Sequence, residues 1–140
     1  MIQESKLVEA AWSVEAFRRF WAKPDRDTSI VPAILTDDVA GYWPGNDTPT
    51  RGREAYMRCI DALVAALPDM YLTVAMHAAS ADVTFVRWVM HATGAKGSFE
   101  LTGIDQIRTR EGRLCENIVV FDTAAFEARS GKRIPWAGAQ

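Results

Sequence analysis

The side chains of this 140-residue chain that could do chemistry are few, and most fall in its second half: His77, Arg87, His91, Asp105 and Asn117. A carboxyl group such as Asp105 becomes useful when its surroundings set its charge. Desolvation keeps it neutral and able to donate a hydrogen bond, while a neighbouring cation keeps it ionised and able to accept a proton. Arg87 adds a planar, permanently charged fork suited to a carboxylate, phenolate or enolate. Asn117 can orient a substrate or a water with its amide. Asp105, Arg87 and Asn117 are therefore the candidate catalytic residues. The two histidines lack an HExxH spacing, and Cys59 and Cys115 form no CxxC pair, so no metal site or redox pair is expected. Without a phosphate-binding loop or dinucleotide motif, the expected cofactor is none.

These residues share a site only if the strands carrying them are in register. After Pro68 the apolar residues alternate with period two through MYLTVAMHA, DVTFVRWVMHAT, FELTGIDQIRT and RLCENIVVFD, which predicts four strands in an antiparallel meander. Reading Ala95-Lys96-Gly97 as a three-residue turn ending on a left-handed glycine pairs Gly94 with Ser98 and Arg87 with Asp105. The same reading of Arg110-Glu111-Gly112 sets Asp105 opposite Asn117. Arg87, Asp105 and Asn117 then form one polar row on an apolar face with Phe85, Val89, Leu101, Gly103, Ile107, Val119 and Phe121. A two-residue reading of either turn slips the register by one and removes the row. By parity His91 shares this face, but four residues from Arg87 is roughly 13 Å along a strand. It is placed at the pocket mouth as a ligand contact, while the turn AASAD leaves His77 without a register.

The elements ahead of the sheet have to close over that face. Leu7, Ala11, Val14, Phe17 and Trp21 recur at helical spacing until Pro24, which predicts one helix with a buried stripe. A short second helix capped by Thr28 or Ser29 is expected around Pro32, then a short strand in VAGYWPGNDTPTRG. A third helix follows Gly52, with Tyr56, Ile60, Leu63, Val64 and Leu67 on one side and Pro68 as its stop. With 49% hydrophobic residues the chain can bury one core, so residues 1–140 are expected to form a single domain with 130–140 as a C-terminal tail. The net charge of −2, with signs mixed throughout, offers no basic face for nucleic acid or membrane. With no apolar span or leader-like start, a cytoplasmic location is expected.

Two runs then carry a resemblance. LTDDVAGYWPGNDTPTRGREA before a long helix, and GIDQIRTREGRLCENIVVFD at the end, look like the SnoaL-like and ketosteroid-isomerase-like branch of the NTF2-like superfamily, over about Glu4 to Phe126. The resemblance implies an α+β, cone-shaped fold with N-terminal helices packed in a strongly curved antiparallel sheet. Carried onto this sequence, the isomerase base falls on Trp43, its tyrosine near Phe17, and its later acid on Asp105. The Arg-x-Asp and later Asp of limonene-epoxide-hydrolase-like members fall on Arg87, Val89 and Val119. The His-x-Asp of the polyketide cyclases falls on Asn117 and Val119. The scaffold is kept and no one of the three catalytic sets is complete.

The functional expectation is a cofactor-independent enzyme using general acid/base proton transfer, of lyase, isomerase, dehydratase or cyclase type, on a hydrophobic, aromatic or polycyclic ligand. The alternative is a non-catalytic ligand-binding or dimerisation module. The expected ligand contacts are Phe17, Trp21, Trp43, Tyr56, Val89, His91, Val119 and Phe121, because aromatics around a concavity favour an aromatic guest. The opposite sheet face would present Val86, Trp88, Met90, Ile118 and Val120, too apolar for water, and predicts a homodimer built on that face.

Overall fold

The computed structural model describes residues 11–137; Leu7 of the first predicted helix and the last three residues lie outside them. Helix α1 (Val14–Trp21) starts at Ser13, whose hydroxyl accepts the Ala16 amide, and buries Phe17 and Trp21. A 3-10 helix over Thr28–Ile34 follows, capped by Asp27 instead of Thr28 or Ser29, since the Asp27 carboxylate takes the Ser29 amide and hydroxyl. Strand β1 (Leu35–Tyr42) and the short β2 (Thr50–Arg51) precede helix α2 (Arg53–Ala66), which begins at Gly52 and ends before Pro68.

The predicted meander is present as β3 (Tyr71–Ser80), β4 (Val83–Gly94), β5 (Gly97–Arg110) and β6 (Arg113–Val120). The order β2-β1-β6-β5-β4-β3 makes one sheet, mixed because β1 runs parallel to β6. The sheet is curved and unclosed, with the helices against its concave side, which is the expected α+β cone. Sequence reading missed helix α3 (Thr123–Ser130), capped by Asp122 and closed by Gly131 in the left-handed conformation.

Both hairpin turns are tighter than predicted. Gly94 pairs with Gly97, leaving Ala95 and Lys96 as a two-residue turn, so Val86 lies opposite Asp105 and Arg87 opposite Ile104. The turn is not an isolated hairpin: the Ala95 amide donates to the Ser130 carbonyl at 3.0 Å, and α3 ends so close to Gly94 that a side chain there would strike its backbone. At the next turn Glu111 and Gly112 both take positive φ, the primed geometry favoured in two-residue hairpin turns, and Arg110 pairs with Arg113. A bulge between Arg108 and Thr109 then adds a second shift of one, pairing Ile107 with Asn117 and Asp105 with Val119. One slip stays a shift of one and the other grows to a shift of two, which restores the facing, so β4 is turned over relative to expectation while β6 is not.

Candidate functional site

The concave face encloses a cavity of about 640 Å³. Phe17, Trp21, Trp43, Tyr56 and Phe121, the five expected aromatics, line it, as do Val119, Asp105 and Asn117. Three expected site residues do not. Arg87 is exposed on the convex face, and Val89 and His91 share that face, because the tighter turn at Ala95-Lys96 inverts every side chain of β4. His91 instead stacks on Tyr71, bonds Thr73 and approaches Glu100 at 3.2 Å. Phe85, expected inside, is also outward and 42% exposed. The same inversion brings Val86, Trp88 and Met90, expected on the outer surface, into the core.

Trp88, expected on the outer face, is a site residue the sequence did not reveal. It sits opposite Gly103, where a Cβ would overlap its indole ring, so only glycine lets the ring lie across β5. From there Trp88 Nε1 donates to Asp105 Oδ1 at 2.9 Å. Asn117 Nδ2 donates to Asp105 Oδ2 at 3.0 Å and to the Tyr56 hydroxyl oxygen at 3.0 Å. A signal for Trp88 existed in the sequence, since a strand glycine marks close approach by a neighbour, but it pointed at Trp88 only in the correct register. The segment read as a tail also contributes: Trp136 is 1% exposed, lines the cavity, and donates to the Pro44 carbonyl at 2.9 Å.

Asp105 is 8% exposed. Burial pushes its carboxyl up to about 6, and the bonds from Trp88 and Asn117 only partly oppose this. Among the described residues no arginine or lysine contributes, so the expected ion pair with Arg87 is replaced by two neutral donors. Tyr56, fully enclosed, is also pushed up by burial and keeps its proton. Its oxygen already accepts from Asn117, leaving its O–H free to donate. An ionised Asp105 requires the Asn117 nitrogen to face it, which engages both amide hydrogens; Asn117 Oδ1 is buried with no hydrogen-bond partner among the described residues. The cavity thus offers a carboxylate of tuned basicity, a phenolic donor and one unfilled acceptor, close together on an apolar wall. Among the described residues no cluster of histidine, cysteine or carboxylate side chains could hold a metal ion. No described helix is long and apolar enough to cross a membrane.

Comparison with known proteins agrees with this architecture. The family model for SnoaL-like polyketide cyclases matches residues 11–129. Among solved structures, a candidate SnoaL-like polyketide cyclase from Jannaschia sp. CCS1 is similar with a TM-score of 0.73 at 14% identity, over 91% of this chain and 94% of that one. IdmH from Streptomyces antibioticus, a candidate polyketide cyclase, gives 0.67 at 24% identity, over 93% and 99%. TerC, co-crystallised with polyporic acid, gives 0.69 at 20% identity, over 91% and 97%. At these identities the neighbours establish the fold. No curated protein matches the sequence significantly.

Proposed function

We propose that this chain, which belongs to the SnoaL-like polyketide cyclase family, is a cofactor-independent enzyme of cyclase or isomerase type that moves a proton on a polycyclic or aromatic substrate. The family and its cyclase-like neighbours support a role of this general type. The observation that carries the specific reading is Asp105, buried in the wall of a ligand-sized cavity and raised to about 6 with no cation beside it among the described residues. At neutral pH such a group is mostly ionised yet basic enough to accept a proton from carbon next to a carbonyl, near the optimum for a general base.

Tyr56 supplies the second half. Its hydroxyl and the Asp105 carboxylate are each 3.0 Å from the same Asn117 nitrogen, so a ligand carbonyl at Tyr56 holds its α-carbon within reach of Asp105. As Asp105 takes the proton, charge develops on the carbonyl oxygen, where the Tyr56 O–H strengthens its hydrogen bond. The enolate carbon can then be reprotonated elsewhere or attack a second carbonyl in the same substrate, the ring-forming step of a cyclase. Asn117 and Trp88 act as positioning residues, fixing the carboxylate and limiting its basicity.

The test is proton exchange from the acidic C–H positions of 2-tetralone in D2O, followed by NMR, extended to larger polycyclic ketones. Exchange should rise with pH through about 6 and level off. Asp105→Asn should lower it by at least ~100-fold, and Tyr56→Phe by ~10–100-fold, within the range of single acid/base and oxyanion contributions. Full activity in Asp105→Asn would refute the assignment. Tight binding without exchange on any ketone would favour a ligand-binding module.

The outer sheet face supports a homodimer, with Ile118 and Val120 outward as expected and Phe85 and Ile104 there in place of Val86, Trp88 and Met90. Ile104 lies opposite Val120, and Phe85 and Ile118 both lie opposite Gln106, so these four side chains adjoin on the convex face. Phe85 is 42%, Ile104 39% and Val120 57% exposed, an apolar patch that a second copy would cover. A cytoplasmic setting belongs to the same proposal.

A further inference from the structure

Arg26 lies in the loop between α1 and the 3-10 helix and lines the same cavity. Three features hold it rigidly. Its Nη2 donates to the Met70 carbonyl at 2.6 Å, its Nε to the Phe20 carbonyl at 3.3 Å, and its guanidinium carbon sits 5.0 Å from the centre of the Trp21 ring. Neither carbonyl neutralises its charge. The remaining nitrogen, Nη1, is buried and has no hydrogen-bond partner among the described residues.

The nearby acids do not complete it. Asp27 is engaged by the Ser29 amide and hydroxyl, and exposed Asp25 acts on Arg26 through its charge, with no hydrogen bond or ion pair to it among the described residues. Arg19 and Lys23 line the cavity together with Asp25 and Asp27, so with Arg26 these five side chains carry one net positive charge. A guanidinium cannot lose its proton to escape burial, and leaving a buried donor unpaired is costly, more so when it is charged. Such a group, fixed on an aromatic ring with both N–H of Nη1 unfilled, is prepared for an anionic oxygen.

We propose that the cavity selects hydrophobic ligands carrying an anionic oxygen, a carboxylate or a phenolate, which pairs with Arg26 while the apolar body fills the aromatic interior. This deepens the reading of the cavity as a substrate site and depends on it. It does not depend on Asp105 being the base. The ligand is thereby oriented, with its charge at Arg26 and its neutral, reacting portion at Asp105 and Tyr56.

The experiment compares 9-anthracenecarboxylate with the nearly isosteric 9-anthracenecarboxamide, titrated calorimetrically at pH 7.5 into wild type, Arg26→Met, Arg26→Gln and Asp105→Asn. Wild type should bind the acid at least ~10-fold more tightly than the amide, as expected of a charge-assisted hydrogen bond. Arg26→Met should abolish that preference by weakening the acid alone. Arg26→Gln, neutral but still able to donate to the Met70 carbonyl, should do the same and serves if the methionine variant does not fold. Asp105→Asn should keep the preference. Equal binding of both probes by wild type, or a preference that persists without Arg26, overturns the proposal while leaving the cavity as a ligand site. If neither probe binds wild type, the proposal and the substrate-site reading both fall. If only the proton-exchange test fails, the anion preference still stands on these titrations.

Discussion

Replacing Asp105 with asparagine should make the protein more stable above pH 6 and remove a pH dependence that wild type carries. In the folded chain the carboxyl titrates near 6 against an ordinary value of 3.8. Below about pH 4 it is protonated in both folded and unfolded states. Between about 4 and 6 the folded chain keeps the proton and the unfolded chain releases it, so stability falls as pH rises and reaches its floor above 6. At roughly 1.4 kcal/mol per pH unit the full loss is about 3 kcal/mol, of which about 2 kcal/mol falls between roughly pH 4.5 and 7.5. Asp38, held down to about 2 by Arg110 and Thr36, titrates below this window and acts in the opposite sense.

The amide in Asp105→Asn fits the existing bonds. Its oxygen can accept from Trp88, and its NH2 can donate to a flipped Asn117, whose oxygen then also accepts from Tyr56. Urea unfolding followed by tryptophan fluorescence at pH 4.5, 5.5, 6.5 and 7.5 gives the comparison. The difference between variant and wild type should grow by about 2 kcal/mol across that range, because every other titrating group is common to both. Parallel curves, with the difference constant to within ~0.5 kcal/mol, would show that Asp105 is not raised and would remove the basis for its role as base.

Gly103→Ala should displace the Trp88 indole, whose ring lies where the new methyl would go; proton exchange should fall ~10-fold or more and destabilisation reach ~1–3 kcal/mol, as for core overpacking, measured by NMR exchange and urea unfolding. Arg87→Leu should leave exchange and ligand affinity within about twofold of wild type, because Arg87 points away from the cavity, and a large loss in either assay would contradict the register described. Val120→Lys, which places a charge in the patch with Ile104 and Phe85, should yield a monomer by light scattering at micromolar concentration, with the fold retained by circular dichroism; a wild type already monomeric there would reject the dimer.

Local pattern was enough to place most elements. Period-two alternation after Pro68 marked the four long strands, and proline and glycine punctuation bounded α2, because both signals reside within a few neighbouring residues. The aromatic lining and the presence of Asp105 and Asn117 on one face were also legible, since parity along β5 and β6 survived a slip at one turn and a bulge beside it. The partner of Asp105 was not. Whether Arg87 or Trp88 faces it depends on a single residue of turn length at Ala95-Lys96, where local preference allowed either reading. A tertiary contact accompanies the outcome: the C-terminal end of α3 packs on Gly94 and takes the Ala95 amide. Trp136 was hidden for the same reason, because a short segment after a glycine reads as a tail until the cavity that receives its indole exists. The composition of the site could be read along the chain; its electrostatics, a carboxylate held by an indole instead of a guanidinium, were decided by contacts between distant parts of the sequence.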